Sequence, residues 1–294
     1  EREVNWGNNE YDLAYGMFIH YLRSGDMRAF YIAQEMATHY MNVDIQHYAS
    51  NKFYEGVAWR HAIGHTGDYY SESPFDGKGY PRASVDLGHW VVEGIIMKYY
   101  LTGDIRALET AELVVNRYNR ETMRDVYDFS NGRVPGWHLT AAMAIYGATL
   151  DPYHLNAANL IVERVLERQA PDGEWPRVLV PGHCYCDTPC IGSAAFMIGV
   201  LLDALAMYNH EVPSPEVERA IVNGARSLVD KAWDESRQQF KYTSCKNSTS
   251  YSSGHREAAI LYAAQLANDE RLYTVGYKIL VDAVGRSSGG GKGL

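Results

Sequence analysis

Apolar residues recur at helical spacing through most of the chain, and short polar turns divide the predicted helices into consecutive pairs. The pattern predicts five hairpins, whose helices span Tyr11–Leu22, Met27–Met41, Gly88–Leu101, Ile105–Asn119, Gly136–Thr149, Pro152–Arg168, Ser193–Tyr208, Pro215–Trp233, Gly254–Leu266 and Glu270–Val284. Alternation typical of β-strands is confined to Trp175–Val180 and Gln239–Thr243. The fold class is therefore predicted to be all-α.

The turns inside the first two hairpins share one pattern, Ser24-Gly25-Asp26 and Thr102-Gly103-Asp104. Glycine enters the left-handed conformation that ends a helix, and aspartate accepts backbone N–H groups at the beginning of the next one. The third turn, Leu150-Asp151-Pro152, places proline at the first helical position, where its missing donor costs nothing. These turns support the predicted helix pairs.

The two helices of a hairpin differ in character. First helices are small and apolar nearly all round, as in 194–205, whereas second helices carry surface charge, as in 163–168. This difference predicts an inner ring within an outer ring, an (α/α)6-type toroid with one hairpin incomplete. One domain is predicted over residues 1–285, followed by a flexible Gly/Ser-rich tail at 286–294.

Long segments separate the hairpins at 42–87, 121–135, 169–192 and 234–253. All four connect the end of one hairpin to the beginning of the next, so they are expected at the same face of a toroid. Long loops that gather on one face usually carry function.

Composition narrows the function classes. The 294 residues carry 27 Lys and Arg against 36 Asp and Glu, a net charge of −9, which argues against a nucleic-acid partner. A content of 23 Tyr and 6 Trp favours a polar ligand surface. No apolar run approaches the roughly 18 residues of a membrane span. Because the sequence begins at Glu1, it predicts a processed chain, which would be secreted or periplasmic. A chain that is not processed would be cytoplasmic.

The segment 44–93 is richest in residues that move protons. Four of the chain's 11 His lie there, in glycine-punctuated sequence or at a helix start, where packing alone does not explain them. The candidate catalytic residues are His61, His65, His89, Tyr69, Tyr80 and Asp68. The candidates for binding a substrate are Arg60, Arg82, Trp59, Trp90, Trp137, His138, Glu93 and Trp175.

Two chemistries fit these residues. β-Elimination beside a uronic-acid carboxylate needs a cation (Arg60 or Arg82), a base (His61, His65 or His89) and an acid (Tyr69, Tyr70 or Tyr80). Hydrolysis needs two carboxylates, for which Asp68, Asp86, Glu93 and Glu174 are candidates. The sequence alone leaves both open.

Histidine also recurs near the beginnings of inner helices, at His89, His138 and His255. Several imidazoles would then face one mouth of a toroid. The tryptophans at hairpin entrances are either platforms for sugar stacking or core fillers.

Four cysteines form a second candidate site, with Cys184, Cys186 and Cys190 close in sequence and Cys245 distant. Thiols are ligands that zinc prefers, so a structural zinc ion is one interpretation. Free buried thiols, or one disulfide between loops, are the alternatives.

The segments Gly64-His65-Thr66-Gly67-Asp68-Tyr69-Tyr70, Gly88-His89-Trp90-Val91-Val92-Glu93-Gly94 and 99–109 resemble six-hairpin carbohydrate-active enzymes. The nearest resemblance is to the catalytic toroid of exo-rhamnogalacturonan-lyase-like (YetA-like) proteins. β-L-Arabinofuranosidases and unsaturated glucuronyl hydrolases are more distantly similar. The resemblance implies an (α/α)6 catalytic domain that acts on acidic polysaccharide.

The resulting prediction is a lyase for a uronic-acid-containing polysaccharide, with an oligo- or polysaccharide as its partner. A six-hairpin glycoside hydrolase and a non-enzymatic helical-hairpin scaffold are the alternatives.

Overall fold

The computed structural model describes residues 12–58, 87–122, 129–179, 183–252 and 257–286. Within these ranges, ten α-helices account for most residues. They are α1 Leu13–Ser24, α2 Met27–His39, α3 Glu93–Thr102, α4 Ile105–Thr122, α5 Arg133–Thr149, α6 Pro152–Arg168, α7 Ala195–Glu211, α8 Pro215–Ala232, α9 Glu257–Ala267 and α10 Glu270–Arg286. The predicted hairpins are all present.

Short elements lie between the hairpins. A π-helical turn, Tyr40–Asp44, follows α2, and 3-10 turns occupy Lys52–Tyr54 and Leu87–His89. The five strands are β1 Arg177–Val178, β2 Ile191–Gly192, β3 Trp233–Asp234, β4 Gln239–Lys241 and β5 Tyr251–Ser252.

The strands form two small antiparallel sheets. In the first, β1 pairs with β2, and Arg177 lies opposite Gly192. In the second, β4 lies between β3 and β5, and Phe240 lies opposite both Trp233 and Ser252. The two predicted strand segments therefore contain β1 and β4.

The turns inside the hairpins repeat one hydrogen-bonding scheme. Gly25 and Gly103 end their helices at φ values of 72° and 71°, and Asp26 and Asp104 accept the backbone N–H groups of Arg28 and Arg106. Leu150 and Asn268 occupy the same left-handed position at φ values of 57° and 48°. The capping aspartates of those turns are Asp151 and Asp269. One scheme thus joins the helices of four hairpins.

Five helices, α1, α3, α5, α7 and α9, begin at different residues from those predicted, and two of these differences concern candidate site residues. Helix α5 begins at Arg133, three residues before Gly136, because Pro135 lies in the first turn, where the missing N–H is not needed. Helix α3 begins at Glu93, after the 3-10 turn that includes Gly88. The shifted beginnings of α3 and α5 both concern residues that were predicted to lie at the functional face of the toroid.

The residues fall into two compact units. Unit 1 comprises Glu1–Tyr127 and Ala144–Leu155, and unit 2 comprises Asp128–Met143 and Asn156–Leu294. The core of unit 1 includes Phe18, and that of unit 2 includes Leu202, both without exposed surface. The single domain over 1–285 stays a prediction.

Burial separates first helices from second helices within each unit. In unit 2, α7 is buried on almost every side, whereas α8 buries one face and leaves residues such as Glu216 and Arg219 exposed. In unit 1, α4 likewise buries Ala107 and Val114 while Ile105 and Arg106 are exposed. The predicted contrast in burial is present.

Candidate functional site

Most of the predicted catalytic and binding residues lie outside the described part of the chain. These are Trp59, Arg60, His61, His65, Asp68, Tyr69, Tyr80 and Arg82, together with Tyr70, Asp86 and His255. Their assignments stay predictions. The described candidates lie near the beginnings of α3 and α5, except Trp175, which lies between α6 and β1.

His89, Trp90 and Glu93 lie at the beginning of α3 in unit 1. His89 and Glu93 are half-buried, whereas Trp90 is only 1% exposed. The Trp90 ring packs edge-to-face on Tyr118, with the ring centres 4.7 Å apart. The Tyr118 hydroxyl donates to the carbonyl oxygens of Leu87 and Trp90. Tyr118 thus fixes the segment that leads into α3.

Asp12 connects the beginnings of α1 and α3. Its two carboxylate oxygens accept the backbone N–H groups of Tyr15 at 3.0 Å and Gly94 at 2.8 Å. Burial raises the pKa of Asp12, although these N–H groups and that of Glu93 oppose the rise. A side chain at Gly94 would place its Cβ only 2.3 Å from Asp12 Oδ1. Glycine is therefore required for this close approach.

Further acidic and phenolic groups surround this connection. Burial, followed by the negative charges of Glu93 and Asp12, raises the pKa of Tyr15. Burial also raises the pKa of Tyr40, with further contributions from Asp12 and Asp44. Asp44 has no exposed surface and lies 3.7 Å from His39 Nε2. We refer to Asp12, Tyr15, Tyr40, Asp44 and Glu93 as the acidic cluster.

The candidates Trp137, His138 and Trp175 are buried in unit 2. Trp175 is 2% exposed, and its Nε1 donates to the Val165 carbonyl oxygen at 2.9 Å. His138 has no exposed surface, and burial lowers its pKa to about 3. These surroundings are those of core residues, and a role for them in binding sugar stays a prediction.

A second group of side chains, basic and aromatic, lies near the beginnings of α5 and α7 in unit 2. Arg133 is the first residue of α5, and Arg177 the first of β1. His183 lies between β1 and β2, Phe196 in the first turn of α7, and Tyr242 directly after β4. We refer to these five residues as the basic–aromatic cluster.

Ring contacts hold the cluster together. The Tyr242 ring centre lies 5.1 Å from those of both His183 and Phe196. The Arg133 guanidinium carbon lies 5.7 Å from the centre of the Phe196 ring. The backbone is tied as well, because Thr243 Oγ1 donates to the His183 carbonyl oxygen at 2.9 Å.

The cluster carries positive charge and two buried nitrogen atoms without hydrogen-bond partners in the described residues. Among the described residues, neither Arg133 Nε nor His183 Nδ1 has a hydrogen-bond partner, although both atoms are buried. Burial lowers the pKa of His183, and the positive charges of Arg177 and Arg133 lower it further. Such a site is suited to a ligand that carries a carboxylate or other acceptor oxygens.

None of the five residues of this cluster is among the catalytic or binding residues predicted from the sequence. Arg133 and His183 are close in sequence to residues that were predicted as site residues, Trp137 and Cys184. No short motif joins the five residues, since they come from separate elements. Arg177, Phe196 and Tyr242 lie within predicted elements, whereas Arg133 and His183 lie between them, so no common position marked the five.

The cysteines also lie in unit 2. Their sulfur atoms are all within 4.8 Å of one another. Cys184 and Cys190 are joined as a disulfide, and Cys186 Sγ lies 3.6 Å from Cys245 Sγ. The structure thus brings together all four residues that the sequence singled out. In the described ranges, they are the one group of three or more side chains that satisfies the geometry for a metal ion.

The described helices include none that is both long and apolar enough to cross a membrane.

Solved structures with related folds define the class. The polysaccharide lyase BACCELL_00875 superposes with a TM-score of 0.61 at 13% identity, over 96% of this chain and 78% of the other. Cellobiose 2-epimerase from Bacillus thermoamylovorans B4167 gives 0.63 at 12% identity, over 99% and 79%. An inactive α-1,6-mannanase of Salegentibacter sp. HEL1_6, in complex with α-1,6-mannotriose, gives 0.54 at 14%, over 94% and 75%. These likenesses show the fold, an (α/α) toroid, and confirm the predicted fold class.

The sequence itself matches one family profile. Residues 4–117 match the PcRGLX-like protein C-terminal alpha/alpha toroid domain. No curated protein matches the chain. The resemblance to six-hairpin toroid carbohydrate-active enzymes is confirmed.

Proposed function

We propose that this protein is a polysaccharide-active enzyme that cleaves beside a uronic acid by β-elimination. The observation that carries the proposal is the basic–aromatic cluster, where Arg133 and Arg177 add positive charge beside buried donors without partners in the described residues. The family match and the carbohydrate-active neighbours support the substrate class.

β-Elimination makes a specific demand on such a site. The proton next to a uronate carboxylate is acidic enough to remove only when the negative charge that develops on the carboxylate is stabilised. We assign this stabilisation to Arg133 and Arg177, with Arg60 and Arg82 as alternatives. Neither arginine forms an ion pair within the described residues, and fixed cations of this kind undergo little rearrangement when charge develops on the substrate.

Two proton transfers complete the reaction. A base removes the proton beside the carboxylate, and an acid protonates the leaving glycosidic oxygen as the double bond forms. If Arg60 or Arg82 is the carboxylate partner, His65 or His89 is proposed as base, and Tyr69 or Tyr80 as acid. Within the basic–aromatic cluster, the His183 imidazole and the Tyr242 hydroxyl are groups of the same two types. Aromatic rings beside them offer apolar surface to the face of a sugar.

The experiment is incubation of the full chain with pectic, glucuronan, alginate and ulvan-type polysaccharides. Reducing ends and the ultraviolet absorbance of the product double bond are followed together. Reducing ends with absorbance support the lyase, and the same substrate with its carboxyl groups reduced to alcohols is expected to be inert. Reducing ends without absorbance overturn elimination in favour of a hydrolase that uses Asp68, Asp86 or Glu93. Binding without either signal supports a binding scaffold instead.

Variants locate the active residues. Arg133→Gln and Arg177→Gln are expected to lose activity, whereas Arg237→Gln, an exposed arginine of unit 2 over the Tyr251 ring, is expected to retain it. If only Arg60→Gln or Arg82→Gln abolishes turnover, the carboxylate partner belongs to the segment 59–86. His65→Ala and His89→Ala test the base in the same way.

A further inference from the structure

The four cysteine side chains of unit 2 have the geometry of a metal site. Cys184, Cys186 and Cys190 lie between β1 and β2, and Cys245 follows β4. A tetrahedral zinc ion with Zn–S bonds of about 2.3 Å places its sulfur ligands about 3.8 Å apart. The four sulfur atoms lie within 4.8 Å of one another, and Cys186 Sγ and Cys245 Sγ are 3.6 Å apart. Small side-chain movements would bring all four to the distances that zinc requires.

The donor set also selects the metal. Four sulfur atoms, with no carboxylate or imidazole in the group, suit zinc and disfavour magnesium and calcium, which bind oxygen ligands. A zinc ion with four protein ligands has no open position for water or substrate. The expected role is therefore structural.

Groups around the sulfur atoms are arranged as hydrogen-bond donors. The backbone N–H groups of Tyr185 and Asn247 donate to the Cys245 sulfur. Asn247 Nδ2 lies 3.5 Å from Cys186 Sγ. Donors to sulfur stabilise the negative charge that thiolate ligands carry, as outer partners do around metal ions generally.

From this arrangement, we propose that Cys184, Cys186, Cys190 and Cys245 bind one Zn²⁺ as a structural site. In the binding step, four thiols release four protons and form four Zn–S bonds. The Cys184–Cys190 disulfide is the alternative oxidised state, because it removes two of the four ligands. A dithiol reductant reduces this disulfide to two thiols by thiol–disulfide exchange and is itself oxidised to a disulfide.

The site would fix one side of the basic–aromatic cluster. His183 directly precedes Cys184, and its carbonyl oxygen accepts from Thr243, two residues before Cys245. Zinc would therefore join the segment that carries His183 to the strand that leads to Tyr242. This consequence rests on the proposed function, whereas the metal site itself does not.

The test measures metal and thiols in the full chain, purified with dithiothreitol. We expect one zinc per chain by elemental analysis and four thiols that react with Ellman's reagent only after the metal is released. Cys186→Ser and Cys245→Ser should each lose zinc, whereas Asp187→Asn, which alters an exposed acid of the same segment, should retain it.

A second measurement needs no variant. Cobalt in place of zinc should give the intense visible absorption of a tetrahedral thiolate site. A reduced wild-type chain without zinc and without that cobalt spectrum would overturn the proposal, as would zinc retained by both serine variants. Two reactive thiols in the denatured chain, with no metal under reducing conditions, would identify a stable disulfide instead. None of these outcomes depends on finding the polysaccharide substrate.

Discussion

The acidic cluster of unit 1 includes residues at the beginnings of α1 and α3, and the basic–aromatic cluster of unit 2 includes residues at the beginnings of α5 and α7, but their charged groups are used differently. Both oxygens of Asp12 accept backbone N–H groups, and Asp44 lies near His39. In the other cluster, Arg133 Nε and His183 Nδ1 have no partner among the described residues; in the acidic cluster the same holds for the Tyr40 hydroxyl, but not for the carboxylate of Asp12.

This difference indicates a structural role for Asp12 and a ligand-binding role for the basic–aromatic cluster. A carboxylate whose oxygens already bind backbone N–H groups cannot bind a substrate without breaking those bonds, so Asp12 holds α1 against α3. Buried donors without partners are costly unless a ligand pairs with them. The comparison therefore supports the proposal that the basic–aromatic cluster of unit 2 binds the substrate, and it can be tested from both sides.

The largest expected effect is on catalysis. Arg133→Gln and Arg177→Gln should each lower kcat/KM about 10²–10³-fold, the range for losing one preorganised charge-stabilising group. Stability should change little, because neither arginine forms an ion pair within the described residues. Initial rates and chemical denaturation measure the two quantities, with Arg237→Gln as the control. Unchanged rates would remove unit 2 from the active site.

The next effect is on the stability of unit 1. Gly94→Ala should destabilise by about 1–3 kcal/mol through overpacking. The new Cβ would lie 2.3 Å from Asp12 Oδ1 and 2.8 Å from Ala14 Cβ. Gly147→Ala is the matched control, since only the Tyr100 hydroxyl lies near, at 3.9 Å, and its expected gain is up to about 1 kcal/mol. Urea denaturation measures both, and equal effects would contradict the close packing of α1 and α3.

The ionisation of Asp12 gives a pH-dependent effect. Its pKa in the folded protein is raised by burial, so its contribution to stability is present below the unfolded pKa of about 3.9 and is lost as pH rises through the folded pKa. Asp12→Asn keeps the size and tolerates the φ of 55° at this position. The unfolding free energy of the wild type, relative to that of Asp12→Asn, should therefore fall between acidic and neutral pH. A difference that rises with pH would show that the N–H bonds outweigh burial.

The smallest effect concerns the turns, which are alike in both units. Asp104→Ala should cost about 1 kcal/mol through loss of the cap on α4, and Asp104→Asn less, since asparagine also caps. Asp269→Ala should cost more, because Asp269 accepts from Arg226 Nε of α8 at 2.8 Å, whereas the charged partners of Asp104 are more distant, Arg106 at 3.1 Å and Lys98 at 3.8 Å. Thermal unfolding of the three variants ranks them. Equal costs would show that the Arg226 bond contributes nothing.

The helices could be predicted because their signals are local. Pro152–Arg168 was predicted to the residue, since an aspartate cap and a proline mark its beginning. The beginning of α5 was missed because proline in a first turn resembles proline before a helix. Periodicity and turn chemistry thus determine most of the fold, while exact helix ends depend on tertiary contacts.

The candidate site could be predicted only where its residues are neighbours in sequence. Three cysteines attracted attention through their spacing, and the fourth was brought to them by the position of β4. Arg133, Arg177 and Tyr242 meet through the packing of separate elements, which no local pattern records. Local clusters such as His61 and His65 were therefore favoured in the sequence over residues that meet only in the folded protein.

The bond between Asp12 and Gly94 also has a consequence for the order of folding. The hairpin of α1 and α2 closes over a few residues, whereas Asp12 must find an N–H group 82 residues away in the chain. Loops of that length close at a higher entropic cost, so local hairpins are expected to form before this bond does. Asp12 thus takes part in a late step of folding, and hydrogen exchange at the Gly94 amide would report when unit 1 becomes a cooperative whole.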